Sequence, residues 1–220
     1  MSMPIYQFPA QSAYNKVIPK NKIYQQGKVG QKLKEKFVSQ LDKITWLYVL
    51  APETINLPAK QGIAEIAIIE LRLKTPELDE EVLHAIDKRV RIPIIYQLLY
   101  NEQIRVIAAY KRPSDADAKL WVIEAYFASE WQSASQPRFE LPMALDLATL
   151  YEQILQTYIP HPPRQGENLK AQVARIQTLR VQQKACEKLE SQINREKQFN
   201  RKVELNSQLR ECRQALQQLI

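Results

Sequence analysis

Glycine is scarce in this chain, with 4 among 220 residues against 13 prolines. Loops that cradle phosphates need several close glycines so that the backbone can approach an anion. Gly27 and Gly30 are the nearest pair, and no nucleotide fingerprint surrounds them. P-loop and dinucleotide-binding architectures are therefore disfavoured. Histidine is scarcer still. His84 and His161 lie far apart, without cysteine or acidic neighbours at metal-ligand spacing. No Ser-His-Asp set, Cys-His pair or CxxC is present, so no zinc site, nucleophilic centre or cofactor is expected. Two cysteines, Cys186 and Cys212, are too few for a disulfide framework. Reduced thiols in a cytoplasmic setting are the expectation, with a cross-hairpin disulfide as the alternative. No apolar run reaches the roughly 18 residues that a membrane-spanning helix needs. Met1 to Ala10 lacks the basic start and apolar centre of a signal peptide.

Hydrophobic residues make up 45% and charged residues 25%, enough for a buried core and too balanced for a disordered chain. The net charge of +7 is unevenly spread. Met1 to Ile44 holds eight lysines and two acids; Thr45 to Pro163 holds eleven basic and sixteen acidic residues; Arg164 to Ile220 holds twelve and six. Basic ends flank an acidic middle. Such asymmetry suits a polyanion or an acidic protein partner, and equally a solvated surface whose ends pack on the middle.

Pro4, Pro9 and Pro19 keep the first stretch extended. Leu33, Phe37, Val38 and Leu41 share one face of a helix over Gly30 to Lys43. Ile44 to Leu50 and Ile63 to Leu73 are β-branched, aromatic and strand-like. Ala51 to Pro58 is a proline-bounded connection. Thr75 as N-cap and Pro76 at the first position open a helix that ends near Lys88. Ile92 to Tyr100 and Gln103 to Tyr110 flank Asn101-Glu102 as a β-hairpin. Pro113 to Asp117 is a polar turn and Leu120 to Phe127 a further strand, before a helix over Leu145 to Tyr158. The expected fold is α+β, a mixed or antiparallel sheet of about five strands with helices on one face.

Pro160, Pro162 and Pro163 end that domain, 1–160, and make a spacer, 161–166. The segment 167–220 has no proline and is rich in glutamine, with a narrow apolar seam through Leu169, Val173, Ile176, Leu179, Cys186, Leu189 and Ile193. A second seam runs through Val203, Leu209, Cys212, Leu216 and Leu219. That is coiled-coil patterning. It fits a basic antiparallel helical hairpin turning near Lys197 to Asn200, or one long dimerising helix, since no Gly or Pro marks a turn.

Two sets of residues suggest chemistry. Arg195, Lys197, Arg201 and Lys202 surround Phe199, a basic and aromatic mixture suited to phosphate backbones or an acidic groove; alternatively Phe199 packs inward and closes the turn. Lys16, Lys20, Lys22 and Lys28, with Tyr14 and Tyr24, make a second patch. The faint catalytic pattern is Pro52-Glu53 followed by Glu70, Arg72 and Lys74 on one strand face. It imitates the order of acids and base in Mg-dependent PD-(D/E)xK nucleases, with Arg where Lys is usual. The bland reading is a half-exposed strand.

The stretches Asn15–Tyr24, Leu50–Pro58, Ile86–Leu98, Ala108–Arg112, Leu141–Leu155 and Arg195–Arg210 together resemble the bacterial family known as domain of unknown function 4391. The likeness spans nearly the whole chain and transfers no catalytic residue. It implies genomic neighbours of the helicase and DNA methyltransferase kind, in restriction-like, anti-phage systems. From it follows the expectation of a non-catalytic accessory subunit that binds a helicase or methyltransferase partner, and DNA through the tail. A divergent nuclease and a structural homodimer held by the tail are the alternatives.

Overall fold

The computed structural model describes residues 3–24, 30–114, 116 and 120–220; Gly27, Lys28 and part of the polar turn before Leu120 lie outside them. The chain divides into two compact units, 1–159 and 160–220.

The first unit is α+β, built on a seven-stranded mixed sheet. Strands β1 (Ala13–Val17), β2 (Leu41–Leu50), β3 (Ile66–Leu73), β4 (Ile94–Tyr100), β5 (Gln103–Pro113) and β6 (Trp121–Ala128) lie side by side in chain order. The short β7 (Gln132–Ser133) pairs with β5. Among these described strands, β3 and β4 alone pair in parallel. Parallel neighbours need a crossover, and α4 (Glu80–Asp87) provides it. The remaining helices here are α1 (Lys20–Tyr24), α2 (Gln31–Gln40), α3 (Pro52–Ile55) and α5 (Leu147–Tyr158).

Alternation along β3 sends Ala67, Ile69, Leu71 and Leu73 into one core, with Phe37 of α2 and Val82, Leu83 and Ile86 of α4. Ile66 and Ile68, on the opposite face, are equally buried. That face is where α5 lies, because the Tyr151 hydroxyl accepts from Lys111 N (2.8 Å) and donates to Ala109 O on β5. The N-terminal segment joins it through the Phe8 ring, 5.1 Å from that of Tyr48. Both faces of the sheet are covered, not one as the sequence pattern suggested. Central strands buried on both sides lose their alternation, which is why Ile66 to Ile69 read as an unbroken apolar run.

Several boundaries differ from the sequence pattern for local reasons. The first helix stops at Gln40, and Leu41 to Lys43 already pair with β3. Thr75 and Pro76 do not begin α4. Asp79 is its N-cap, accepting from Glu81 N at 3.1 Å, and Lys36 of α2 holds the same carboxylate at 2.6 Å. Asp146 similarly caps α5, accepting from Thr149 N, while Lys60 lies 2.9 Å from its other oxygen. The β4–β5 hairpin turns at Asn101, whose φ of 53° is the left-handed conformation that asparagine tolerates.

A buried ionic cluster closes the crossover. Lys111 of β5 and Asp87 at the end of α4 have fully buried side chains, 3.1 Å apart. The Lys111 ammonium also donates to Asp87 O and Val90 O, the backbone that leads out of α4. The Tyr126 hydroxyl donates to Asp87 Oδ2. Burial pushes the Asp87 carboxyl up and the Lys111 ammonium down, and each partner's charge opposes the other's shift.

Among the described residues, no helix is long and apolar enough to cross a membrane.

Lys111→Ala leaves the Asp87 carboxylate buried without its cation. Removing one partner of such a pair costs about 3–5 kcal/mol. Urea unfolding of the single variant is expected to show this destabilisation, and the double variant Asp87→Leu, Lys111→Met is expected to recover the part due to the stranded carboxylate while the Asp87 and Val90 carbonyls stay unmet. A single variant as stable as the parent chain would contradict the assignment.

Candidate interaction site at the hairpin tip

The second unit contains α6 (Leu169–Arg195) and α7 (Phe199–Leu219), which pack against each other. Arg213 of α7 reaches Glu190 of α6 at 2.8 Å, and Gln182 reaches Cys212 O at 3.4 Å. Arg175 near the start of α6 reaches Leu219 O at the end of α7, and Glu190 later in α6 meets the earlier Arg213, so the helices run antiparallel. The single long helix is excluded.

The turn forms without Gly or Pro because Glu196 supplies what they would. Its carboxylate accepts from Lys197 N (2.8 Å) and Gln198 N (2.9 Å), bracing the turn just ahead of α7. Those two bonds hold the Glu196 carboxyl below its usual range, aided by the charges of Arg201 and Lys202. An anion at a helix N-terminus is favoured by the unpaired N–H groups there. At the other end Arg175, nearly buried, clamps the hairpin base. It meets both Glu167 oxygens (2.8 and 2.9 Å) and donates to Pro162 O and Leu219 O. The Leu219 carbonyl, at the end of α7, takes a cation where the helix dipole favours one.

Cys186 and Cys212 face each other across the hairpin with Cα atoms 5.9 Å apart and are disulfide-bonded. The expectation of free thiols is thereby corrected. Compartment arguments weigh cysteine number and say nothing of helix register, which brings these two together. With Leu209, Leu189 and Ile193 they form the small core of the distal hairpin.

At the tip Phe199 is 78% exposed. It does not pack inward. Arg195 ends α6, Lys197 sits in the turn, and Arg201 and Lys202 occupy the first turn of α7. Arg195 and Arg201 line a cleft of about 280 Å³ with Gln192, Glu196 and Leu205. Arg201 pairs with Glu204 at 2.6 Å, both exposed, a pairing worth little in water. Cations and an uncovered ring therefore share one small surface. No ligand chemistry beyond binding is suggested by these groups.

The N-terminal lysines are more dispersed in role. Lys16 of β1 sits over the Tyr14 ring at 4.5 Å. Lys20 donates to Leu41 O at 2.7 Å, and burial lowers its pKa, so it serves the fold. Lys22 lies on α1.

The nuclease candidates are not brought to one point. Glu70 and Arg72 share a strand face, with a separation of 3.8 Å. Lys74 donates to Val38 O of α2 at 2.8 Å. Thr45 stands opposite Glu70 and Leu50 opposite Ile66. Leu50, where β2 ends, is thus about 13 Å along the strand from Glu70, and Glu53 follows it on α3. Among the described residues, no group of three or more His, Cys, Asp or Glu could hold a metal ion. His84 pairs with Glu80 at 3.3 Å on the surface of α4.

One surface escaped the sequence pattern. Met143 is 95% exposed and Leu145 87%, in the loop ahead of α5. Both resemble core residues in sequence; only the Asp146 cap, which starts the helix after them, signals their exposure.

The family model described as Domain of unknown function (DUF4391) matches residues 7–216. No curated protein and no solved structure matches.

Two outcomes follow from the hairpin. The disulfide closes a separation of 26 residues, and constraining such a loop is worth about 3 kcal/mol. Replacing both cysteines by serine is expected to lower the hairpin's unfolding midpoint in denaturant accordingly, and an unchanged midpoint would exclude the bond in solution. The Arg175 clamp and the Arg164 N–H lower the Glu167 pKa from the usual 4.5 to about 2. A carboxylate depressed on folding stabilises fully above its unfolded value. That contribution is lost as the pH falls from 4.5 towards 2. Hydrogen-exchange protection at the first turns of α6, taken relative to the intrinsic rate at each pH, is expected to fall over that interval in the parent chain, and to fall less in Glu167→Gln.

Proposed function

Because this chain belongs to the DUF4391 family, whose description assigns no activity, we propose from its own geometry that it is a non-catalytic accessory subunit. In this reading it acts in the cytoplasm beside a helicase or DNA methyltransferase of a restriction-like, anti-phage system. The α+β unit docks the protein partner, and the hairpin tip contacts DNA.

The observation that carries the reading is the exposed Phe199 among Arg195, Lys197, Arg201 and Lys202. Exposing an aromatic ring to water is unfavourable unless something covers it in use. Four cations beside it select a partner rich in negative charge. Contacts from such side chains to phosphate are independent of sequence, and a ring can stack on any base. For the protein partner, the support is the apolar pair Met143 and Leu145 in the first unit. The kinship supplies the helicase and methyltransferase context by association alone. Self-association is the competing reading, favoured by the exposure of Val181 and Val203 on the hairpin helices.

Fluorescence anisotropy with duplex and single-stranded DNA tests the tip. Affinity is expected to fall steeply with salt. The triple variant K197A/R201A/K202A is expected to flatten the log–log slope on duplex DNA by about 0.9 for each phosphate it no longer neutralises. Phe199→Ala is expected to weaken single-strand binding by about 1–3 kcal/mol. Binding indifferent to salt would remove DNA from the proposal. Capture of a helicase or methyltransferase from the native host, resistant to nuclease and abolished in Met143→Ser, Leu145→Ser, tests the docking half.

A further inference from the structure

We propose that a cleft on the α5 side of the sheet binds a guanine nucleotide, held edge-on by Glu70 and Gln97. The inference is independent of the hairpin and goes beyond the accessory reading. The cleft, of about 330 Å³, lies wholly within the first unit and is lined by Tyr6, Phe8, Tyr48, Glu70, Gln97 and Arg138 among others.

The floor of the cleft is unusual for its surroundings. Glu70 and Gln97 face each other in register on the parallel strands β3 and β4. Their neighbours on the same sheet face, Ile66, Ile68 and Ile95, are apolar and buried. Gln97 is 6% exposed, yet within the described residues no hydrogen bond reaches its amide. What accessibility it keeps is into the cleft that it lines. The half-buried Glu70 carboxylate has an ion pair with Arg72, Nη2 to Oε1 3.8 Å, and no hydrogen bond among the described residues, so its acceptor positions remain open. The two side chains thus present hydrogen-bonding groups to the cleft that no protein group takes up, and a ligand that meets them gains charge-assisted bonds in partial shelter from water.

The ligand's chemistry follows from the donors and acceptors. A carboxylate offers two acceptors and no donor, whereas a glutamine amide offers N–H donors beside a carbonyl. Residues in register on adjacent strands are about 4.8 Å apart, a spacing on the scale of a base edge. Guanine presents two adjacent N–H donors, from N1 and N2, next to the O6 acceptor. The donors match Glu70, and O6 matches the Gln97 amide. Adenine places the N1 lone pair where guanine has a proton, which would face the carboxylate. Tyr48, Tyr6 and Phe8 wall the cleft with rings against which a planar base can lie. Arg138, exposed at the cleft, supplies a cation for a phosphate.

Calorimetric titration of the full chain with GMP and AMP tests the site. GMP is expected to bind roughly tenfold or more tightly than AMP, the ratio set by one mismatched charged hydrogen bond. Glu70→Gln keeps the shape and removes the double acceptor, so GMP affinity should fall by a similar factor while the thermal midpoint stays unchanged. Arg138→Ala, a surface change, should reduce GMP binding and leave guanosine unaffected. Equal affinity for GMP and AMP, indifference to Glu70→Gln, or no heat with millimolar GMP would overturn the proposal. The same nucleotide could arrive free or as an unpaired residue of a single strand. In the K197A/R201A/K202A background, an oligothymidylate carrying one guanine that binds roughly tenfold better than GMP identifies the strand, and equal binding identifies the free nucleotide.

Discussion

A lysine that cannot reach water decides much of this architecture. The parallel pairing of β3 with β4 requires the chain to leave the sheet, cross it as α4 and return within a few residues of the helix end. That end brings carbonyls into an apolar interior, where none can be hydrated. Lys111, arriving from β5, satisfies the carbonyls of Asp87 and Val90 and meets the Asp87 carboxylate as well. Helix, return loop and neighbouring strand are thus tied at one atom. A hydrophobic residue at position 111 would fill the same space and leave those carbonyls unmet.

With that face closed by α2 and α4, and the other by α5 and the N-terminal segment, the sheet has no broad open surface. The second unit is of a different kind. Its apolar core is thin, its contacts are ionic and local, and Glu196 and Arg175 fasten its two ends. A narrow core with fastened ends keeps a long, slender element in one register while leaving its tip uncovered.

The elements visible in sequence were those with their own local cause. The β4–β5 hairpin could be read from Asn101, and β3 from its branched apolar run. The strand β1 could not, because every residue of it is exposed and it exists by pairing with β2. The start of α4 lies later than its sequence suggests because Thr75-Pro76 is a strong local signal, while Asp79 caps the helix with support from Lys36 and Gln40 of another helix. The basic tip was legible as charge. The exposure of Phe199 was not, since an aromatic at a helix start is as compatible with packing inward. Asp87 and Lys111 are 24 positions apart, and no spacing rule joins them. The same holds for Glu70 and Gln97, which meet only once the sheet register is known. The paired cysteines lay beyond compositional reasoning for that cause too.

The sulfur link lies partway along the hairpin, between base and tip. A peptide bond cut anywhere from Glu196 to Gln198 would sever the backbone yet leave α6 and α7 joined through Cys186 and Cys212. The fragments would travel as one molecule until a thiol reductant released them. Chain continuity at the tip and covalent unity of the unit are therefore separate properties. The exposed turn can be clipped without dismantling the element that carries it.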